Sequence, residues 1–281
     1  MKAMLVDQDT PDRRLCWQEV PDCTFAPDEV LVHVRATAVN RADLLQRAGR
    51  YPPPPGAPLY LGLEMSGVVA AAGPQAGDWR PGDRVCALLA GGGYAEQAAV
   101  HHQLLLRLPE AWDFARAAAV PEAFYTAFVN LFLEAQAQPG EVVLIHGGAS
   151  GVGTAAIQLA RQAGCRVVAT AGSQAKLDCC TRLGAELAVN HRERDFAEAV
   201  LEHCPGVDVI LDIGGAGYLE RNLRSLAPRG RLVLLALLEG SVASVELGQV
   251  MRQRLRLIGS VLRSRPLAEK VEITRQFADR V

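Results

Sequence analysis

Four glycines, Gly147, Gly148, Gly151 and Gly153, strip side chains from a sharp turn in the run VVLIHGGASGVGTAAIQLARQAG, between an apolar stretch (Val142 to Ile145) and an amphipathic one from Thr154. Bare backbone of this kind lets N–H groups approach a phosphate. The helix that follows turns free N–H groups and a positive dipole end toward the same anion. The spacing Gly151-x-Gly153-x-x-Ala156 fits the G-x-G-x-x-G/A fingerprint of a dinucleotide-binding βα unit, with Ala156 at the small position where helix and sheet touch. Gly148, Ala149, Ser150, Gly151 and Val152 are the turn residues expected to face a pyrophosphate, and Gly164 is placed to close the helix as a C-cap. An ordinary tight turn competes for the glycines taken alone.

The residues that follow narrow the dinucleotide. Cys165 to Ala169 reads as the next strand, and Thr170-Ala171-Gly172-Ser173-Gln174-Ala175-Lys176 after it holds no Asp or Glu to accept hydrogen bonds from a ribose 2′-hydroxyl. A 2′-phosphate needs donors instead. Beside Gly172, Ser173 offers a hydroxyl and Lys176 a cation, and His191 with Arg192 adds a ring and a second charge, so the segment favours NADPH over NADH. The competing reading makes Ser173 the cap of a helix starting near Gln174 and Lys176 a solvated surface residue.

Composition bounds the rest. At 281 residues the chain exceeds the size at which one core suffices, and 49% hydrophobic residues supply material for two. A net charge of −2 argues against a dominating nucleic-acid or anionic-membrane surface. The first residues, MKAMLVDQDTPDRR, hold no apolar signal segment, and the longest apolar run, Leu232 to Leu238, is far too short to span a bilayer. Seven cysteines without C-x-x-C spacing fit a reducing, cytoplasmic setting better than a disulfide framework. Cys179 and Cys180, adjacent in a helical stretch, read as packing residues.

The elements that must position these residues fall into two textures. Short strand-like pieces at Lys2 to Val6, Glu29 to Ala36, Ser66 to Ala72, Arg84 to Leu88 and Tyr94 to Val100, divided by proline and glycine turns, predict a β-rich, barrel-like domain over residues 1–123. From Phe124 helices alternate with buried strands at Val142 to Ile145, Arg166 to Ala169, Leu187 to Asn190, Val207 to Leu211, Arg231 to Leu235 and Leu257 to Val261. That alternation predicts an α/β, doubly wound parallel sheet over 124–264. Pro52 to Pro55 reads as a rigid loop.

Across nearly the whole chain, NRADLLQRAGRYPPPPG (Asn40 to Gly56), LGLEMSGVV (Leu61 to Val69), GGGYAEQ (Gly91 to Gln97), VPEAFYTAF (Val120 to Phe128), HGGASGVGTAA and TAGSQAK together resemble the zinc-independent quinone oxidoreductases of the medium-chain dehydrogenase/reductase superfamily, specifically the tumour-suppressor-inducible branch. The resemblance implies a GroES-like substrate domain, a Rossmann domain that binds NADPH, and a site in the cleft between them. Zinc-dependent relatives place Cys where Asn40 stands and His where Leu63 stands, and the cysteine-rich structural-zinc lobe is missing between Val85 and Tyr94, so no metal is expected.

By the same resemblance Asn40, Asp43 and Tyr51 lie by nicotinamide and quinone as the catalytic set, and Thr126 on the nicotinamide side. Ile213 and Gly214, Leu235, Ala236 and Leu237, and Val261 and Arg263 are the further cofactor contacts at strand ends. Each has a plainer reading: Tyr51 packs on Pro52, Asp43 is a charge at a helix start, Asn40 is a structural amide, and Asp212-Ile213-Gly214-Gly215 is an ordinary turn. His191 departs from the Tyr that stacks on the cofactor in many quinone reductases. The implied activity is transfer of reducing equivalents from NADPH to ortho- or para-quinones, in one- or two-electron steps, by a homodimer joined through the last sheet strand. Enal or enone reduction and cofactor binding without catalysis are the alternatives. Residues 265–281 are expected to begin a C-terminal return segment that stops short of the relatives' length.

Overall fold

The computed structural model describes all 281 residues, and the chain divides into two compact units, Met1–Tyr125 with Leu262–Val281, and Thr126–Val261. In the first unit β1 (Lys2–Val6) and β2 (Leu15–Glu19) form an antiparallel ribbon. After β3 (Glu29–Ala36) and helix α1 (Arg41–Arg47) come β4 (Glu64–Ala72), β5 (Arg84–Leu88), β6 (Gln97–His101) and β7 (Leu105–Arg107), which assemble an antiparallel sheet in the order β6-β3-β4-β5-β7. Its buried face carries Val30, Val32, Met65, Val69, Val85 and Val100, the inward positions of half-buried strands. Gly67 keeps β4 against β3, because a Cβ there would stand 2.2 Å from the His33 carbonyl oxygen.

Two short helices follow, α2 (Phe114–Ala118) and α3 (Pro121–Phe128). Asp113 caps α2 by accepting from the Arg116 N–H at 2.7 Å, and α3 begins on a proline, whose missing N–H costs nothing in a first turn.

The second unit holds β8 (Val142–Ile145), α4 (Gly151–Gln162), β9 (Arg166–Ala171), α5 (Gln174–Leu183), β10 (Leu187–Asn190), α6 (Phe196–His203), β11 (Val207–Asp212), α7 (Ala216–Ser225), β12 (Leu226–Leu234), α8 (Leu247–Gln253) and β13 (Arg256–Gly259). The six strands are parallel in the order β10-β9-β8-β11-β12-β13, the expected doubly wound sheet, with its direction of winding reversing between β8 and β11. Every residue of β8 is buried, so the strand reads as a continuous apolar run.

Two local details differ from the sequence reading. α4 starts at Gly151 rather than Thr154, because the Ser150 hydroxyl accepts the Gly153 N–H at 3.0 Å and caps the helix earlier. β12 starts at Leu226 rather than Arg231. The last helix, α9 (Leu267–Arg280), packs into the first unit, where Phe277 stacks on Tyr125 with ring centroids 4.2 Å apart.

His146, directly after β8, ties three elements of the second unit together. Its Nδ1 lies 3.0 Å from the Thr170 hydroxyl and its Nε2 2.7 Å from Asn222 Oδ1, with Phe196 and Tyr218 edge-on to the ring. Complete burial, with Arg221 and His191 as further unfavourable charges, pushes the imidazole down to about 4. The ring is neutral in the native state, so stability is held above the usual histidine value near 6.5 and is lost as the pH falls toward about 4. Urea unfolding should therefore show the native state losing up to about 3 kcal/mol between those two pH values from this one group. His146→Gln should flatten that part of the profile, and an unchanged slope in the variant would refute the assignment.

Candidate functional site

The glycine turn is built by contact as well as by conformation. Gly147 has φ +62°, its carbonyl accepts the Ser150 N–H at 2.8 Å, and the Gly148 N–H donates to the Thr170 carbonyl at 2.8 Å. A Cβ on Gly148 would meet Cys180 Sγ at 2.7 Å and the Ala169 methyl at 2.9 Å, and one on Gly153 would meet the Gly147 carbonyl oxygen at 2.3 Å. These positions need glycine to bring α4 onto the end of β8. Ala149, Gly151 and Val152 complete the turn and head a twelve-residue helix whose positive end is set at the carboxyl edge of the sheet.

At the end of β9 the structure gathers Gly172, Ser173, Lys176, His191 and Arg192. A Cβ on Gly172 would lie 3.0 Å from Arg192 Nε and 3.2 Å from His191 Nε2. Ser173 stands at the N-cap position of α5, yet its side chain makes no cap hydrogen bond, and both it and Lys176 are exposed. The hydroxyl is therefore not consumed by the capping role that competed with ligand binding. His191 Nδ1 lies 3.1 Å from the Tyr218 hydroxyl, and burial together with Arg192 lowers the imidazole from its usual range. The arrangement is a cation-lined patch of backbone that can receive a phosphate.

The next strand ends supply a braced rim. Asp212, wholly buried, accepts the Gly214 N–H at 3.0 Å and the Gly215 N–H at 2.8 Å. The Leu235 N–H bonds the Asp212 carbonyl at 2.8 Å, the Leu238 N–H bonds that of Ile213 at 3.0 Å, and Ile213 packs against Gly147. Ile213, Gly214, Leu235, Ala236 and Leu237 thus belong to one loop cluster beside the glycine turn. Thr126 lies in α3, where its carbonyl accepts from the Asn130 amide at 2.7 Å.

In the first unit Asn40 and Asp43 fold around one another. The Asp43 carboxylate is 1% exposed and accepts the Asn40 N–H at 2.8 Å, the Tyr94 hydroxyl at 3.0 Å and the Gly62 N–H at 3.1 Å. Asp43 is indeed a helix-start acid, but one that also pins two loops. The Asn40 amide donates to Glu64 at 2.6 Å, and the other Glu64 oxygen accepts the Glu122 N–H at 2.8 Å. Burial raises the Glu64 carboxyl in spite of both donors. Glu122 is pushed up to about 8, by burial first and then by the Glu64 and Asp43 charges, with Arg263 opposing.

Tyr51 joins this group. Burial raises its hydroxyl, with the Arg263 charge opposing, so the group is a protonated donor at neutral pH. The Arg263 guanidinium sits 5.2 Å from the centre of the Tyr51 ring, while Nε donates to the Ala90 carbonyl at 2.8 Å and Nη2 to Gln46 at 2.8 Å. Val261 and Arg263, expected together at a strand end, fall in different units: Val261 closes the second and Arg263 works inside the first. Glu64, Tyr94 and Glu122 were absent from the sequence-derived set. The run LGLEMSG shows an acid among apolar residues and VPEAF an acid in a helix's first turn, which marks a polar group entering a core without naming its partners.

Two family models match the chain, the alcohol dehydrogenase GroES-like domain over residues 26–110 and the zinc-binding dehydrogenase over residues 151–278. The quinone oxidoreductase-like protein 2 of Bos taurus is 36% identical over 236 residues, covering 83% of this chain and 68% of that protein. The chain belongs to the medium-chain dehydrogenase/reductase superfamily. Among solved structures, the quinone oxidoreductase of Thermus thermophilus, described also in complex with NADPH, matches with a TM-score of 0.82 and 34% identity over 99% of this chain and 85% of that one. The CurK enoyl reductase matches with 0.84 and 30% over 99% and 86%. The chain spans only 6% of the polyketide synthase component PikAII of Streptomyces venezuelae, to which it is 40% identical over 213 residues, and 64% of the quinone oxidoreductase of Sus scrofa. The first unit is thus a GroES-like half-barrel and the second a Rossmann-type sheet.

Because three donors converge on Asp43, its removal strands them in a buried setting. Asp43→Ala should lower unfolding stability by about 3–5 kcal/mol, read as a shift of the urea midpoint, and a loss below about 1 kcal/mol would show that the three bonds do not hold the segment.

Proposed function

We propose that this superfamily oxidoreductase is an NADPH-dependent, metal-free quinone reductase of the cytoplasm. The observation that carries the cofactor is the end of β9, free of carboxylate and set with an uncommitted Ser173 hydroxyl, Lys176, Arg192 and His191 around Gly172. NADPH fits that group, with the glycine turn against its pyrophosphate and the Asp212 loop cluster toward its nicotinamide half, and it supplies a hydride when bound.

The metal-free reading rests on the chemistry of the GroES-like unit. Asn40 spends its amide on Glu64, and Leu63 is a core residue 2% exposed, so neither offers a ligand. A quinone suits such a site because hydride addition yields an aromatic hydroquinone, and positioning plus hydrogen-bond donation suffices. Tyr51, a protonated hydroxyl, is the proposed donor to the acceptor oxygen, while Asn40 and Asp43 shape and fix its surroundings. Seven free cysteines accord with a reducing compartment, and no helix is long and apolar enough to cross a membrane. Reduction of a conjugated C=C bond is the second reading, favoured by the likeness to an enoyl reductase.

NADPH should bind at least about tenfold more tightly than NADH, a difference of about 1.4 kcal/mol. Lys176→Glu should erase most of that preference in fluorescence titration while leaving NADH binding unchanged. Duroquinone, fully substituted and so unable to arylate the cysteines, should drive NADPH oxidation in the presence of a chelator. Turnover of a 2-alkenal alone would move the assignment to the second reading.

The outer edge of β13 carries no further strand, and Leu257 on it is 39% exposed. Unpaired edges are covered in stable proteins, and a second copy of this strand is the proposed cover. Light scattering should give twice the chain mass, and Ile258→Pro should give monomers; a monomeric native protein would end the dimer proposal.

A further inference from the structure

Hydride transfer to a quinone leaves the acceptor one proton short of the hydroquinone, and the GroES-like unit holds an unused place for that proton. Three carboxyl groups meet there, and their hydrogen bonds are shared unevenly. Asp43 accepts three donors and Glu64 accepts two, one of them the backbone N–H of Glu122 itself. The Glu122 side chain receives none of these bonds. A proton entering the group therefore belongs on Glu122, where the neutral form forfeits least and relieves repulsion from the other two.

A second observation points to what happens when that proton leaves. Arg263 is 7% exposed, and with Nε and Nη2 committed to Ala90 and Gln46, its Nη1 is buried without a partner. An idle charged donor in a core is costly unless a charge arrives to use it. The charge of Arg263 already acts on Glu122, Asp43 and Tyr51.

We propose that Glu122 is the proton store for acceptor reduction, releasing its carboxyl proton toward the reduced acceptor while the Arg263 guanidinium receives the charge left behind. The inference rests on the reductase reading above. The Glu122 O–H bond breaks and an O–H bond forms on the acceptor oxygen, by way of the Tyr51 hydroxyl. No electron leaves the protein, and water returns the proton to the carboxylate. Glu64 on β4, Asp43 on α1, Tyr51 after α1 and Arg263 after β13 are the titratable and charged groups that face Glu122, and burial with the two acids sets its carboxyl at about 8, against the pull of Arg263. The store is filled at neutral pH and empties as the medium becomes alkaline.

Infrared difference spectroscopy of the native protein should show a protonated-carboxyl band at pH 7 that disappears with a midpoint at about 8 and is missing from Glu122→Gln. Stopped-flow kinetics with NADPH and duroquinone should show an alkaline limb in kcat at the same midpoint. Glu122→Gln should lower kcat about 100-fold and abolish that limb, with NADPH affinity held within about twofold. Glu122→Ala should regain rate with added formate. Arg263→Lys, which keeps the charge and loses the fork, should move the infrared midpoint upward.

A band unchanged in Glu122→Gln, or a variant that keeps native kcat and its alkaline limb, overturns the proposal. If Glu122→Gln fails to fold, Glu122→Asp and the native infrared titration decide the same point. Failure of the native protein to oxidise NADPH with any quinone or enone defeats the reductase reading, whereas the infrared titration still reports where the proton resides.

Discussion

The contact of α4 with the end of β8 is the constraint from which the second unit is built. Three glycines meet there at distances that leave no room for a Cβ: Gly153 lies against the Gly147 backbone, and Gly147 and Gly148 lie against the side chains of Ile213, Cys180 and Ala169. That approach aims the first turn of α4 at the carboxyl edge of the sheet, and it seats Cys180 of α5 and the Ala169 methyl of β9 beneath Gly148. The β9 end, with its cations, inherits its place from the same packing. His146 stiffens the arrangement from below, because a buried neutral imidazole bonded on both nitrogens cannot move without stranding Thr170 or Asn222.

The GroES-like unit reaches definition by the opposite means. Its site is made of polar groups taken from water, of which Asp43 and Glu64 are each met by donors. Asp43 joins α1 to Gly62 and Tyr94, and Glu64 joins Asn40 to the start of α3. Such a network specifies one arrangement of its loops, since any displacement leaves a charge unpaired. Its two imperfections are adjacent in character, an acid with too few donors and an arginine with one donor too many.

What the sequence revealed follows from how local each signal is. The central parallel strands β8, β9 and β11 are buried and read as apolar runs, and their alternation with helices made the six-stranded Rossmann sheet legible, while the fingerprint glycines marked the turn. β2 is mostly exposed and β7 has three residues, so neither carries a pattern to find. The early start of α4 was hidden because Gly151 and Gly153 are poor helix formers, and only the Ser150 cap explains it. Arg263 was legible as a charged residue after the last strand-like run. Its partners lie 173 and 217 positions away, which no spacing rule reaches. Glu122 is hidden for the same reason: its character comes from Glu64 and Asp43, far along the chain, and from a half-buried, poorly solvated setting that an acid in a helix's first turn does not announce.

The end of β9 in the second unit and the carboxyl group of the first unit meet solvent differently. The second presents Lys176 and its neighbours at an exposed rim, where a cation costs little to maintain and attracts an anion over a distance set by the ionic strength. The first encloses Asp43, Glu64 and its single buried arginine, with Glu122 half-buried beside Glu64, where charges interact strongly and a proton's position is set by the protein more than by the medium. An anionic cofactor and a neutral acceptor that must gain a proton ask for these two surroundings respectively. A half-buried carboxyl within the field of an unspent guanidinium donor serves the second need only if the carboxyl is neutral before the reaction and charged after it, since either state held throughout would leave one of the pair unsatisfied or unused. The uneven sharing of donors among Asp43, Glu64 and Glu122 is thus a functional asymmetry, because it places the mobile proton on the acid whose side chain accepts none of these bonds, within the field of the Arg263 charge.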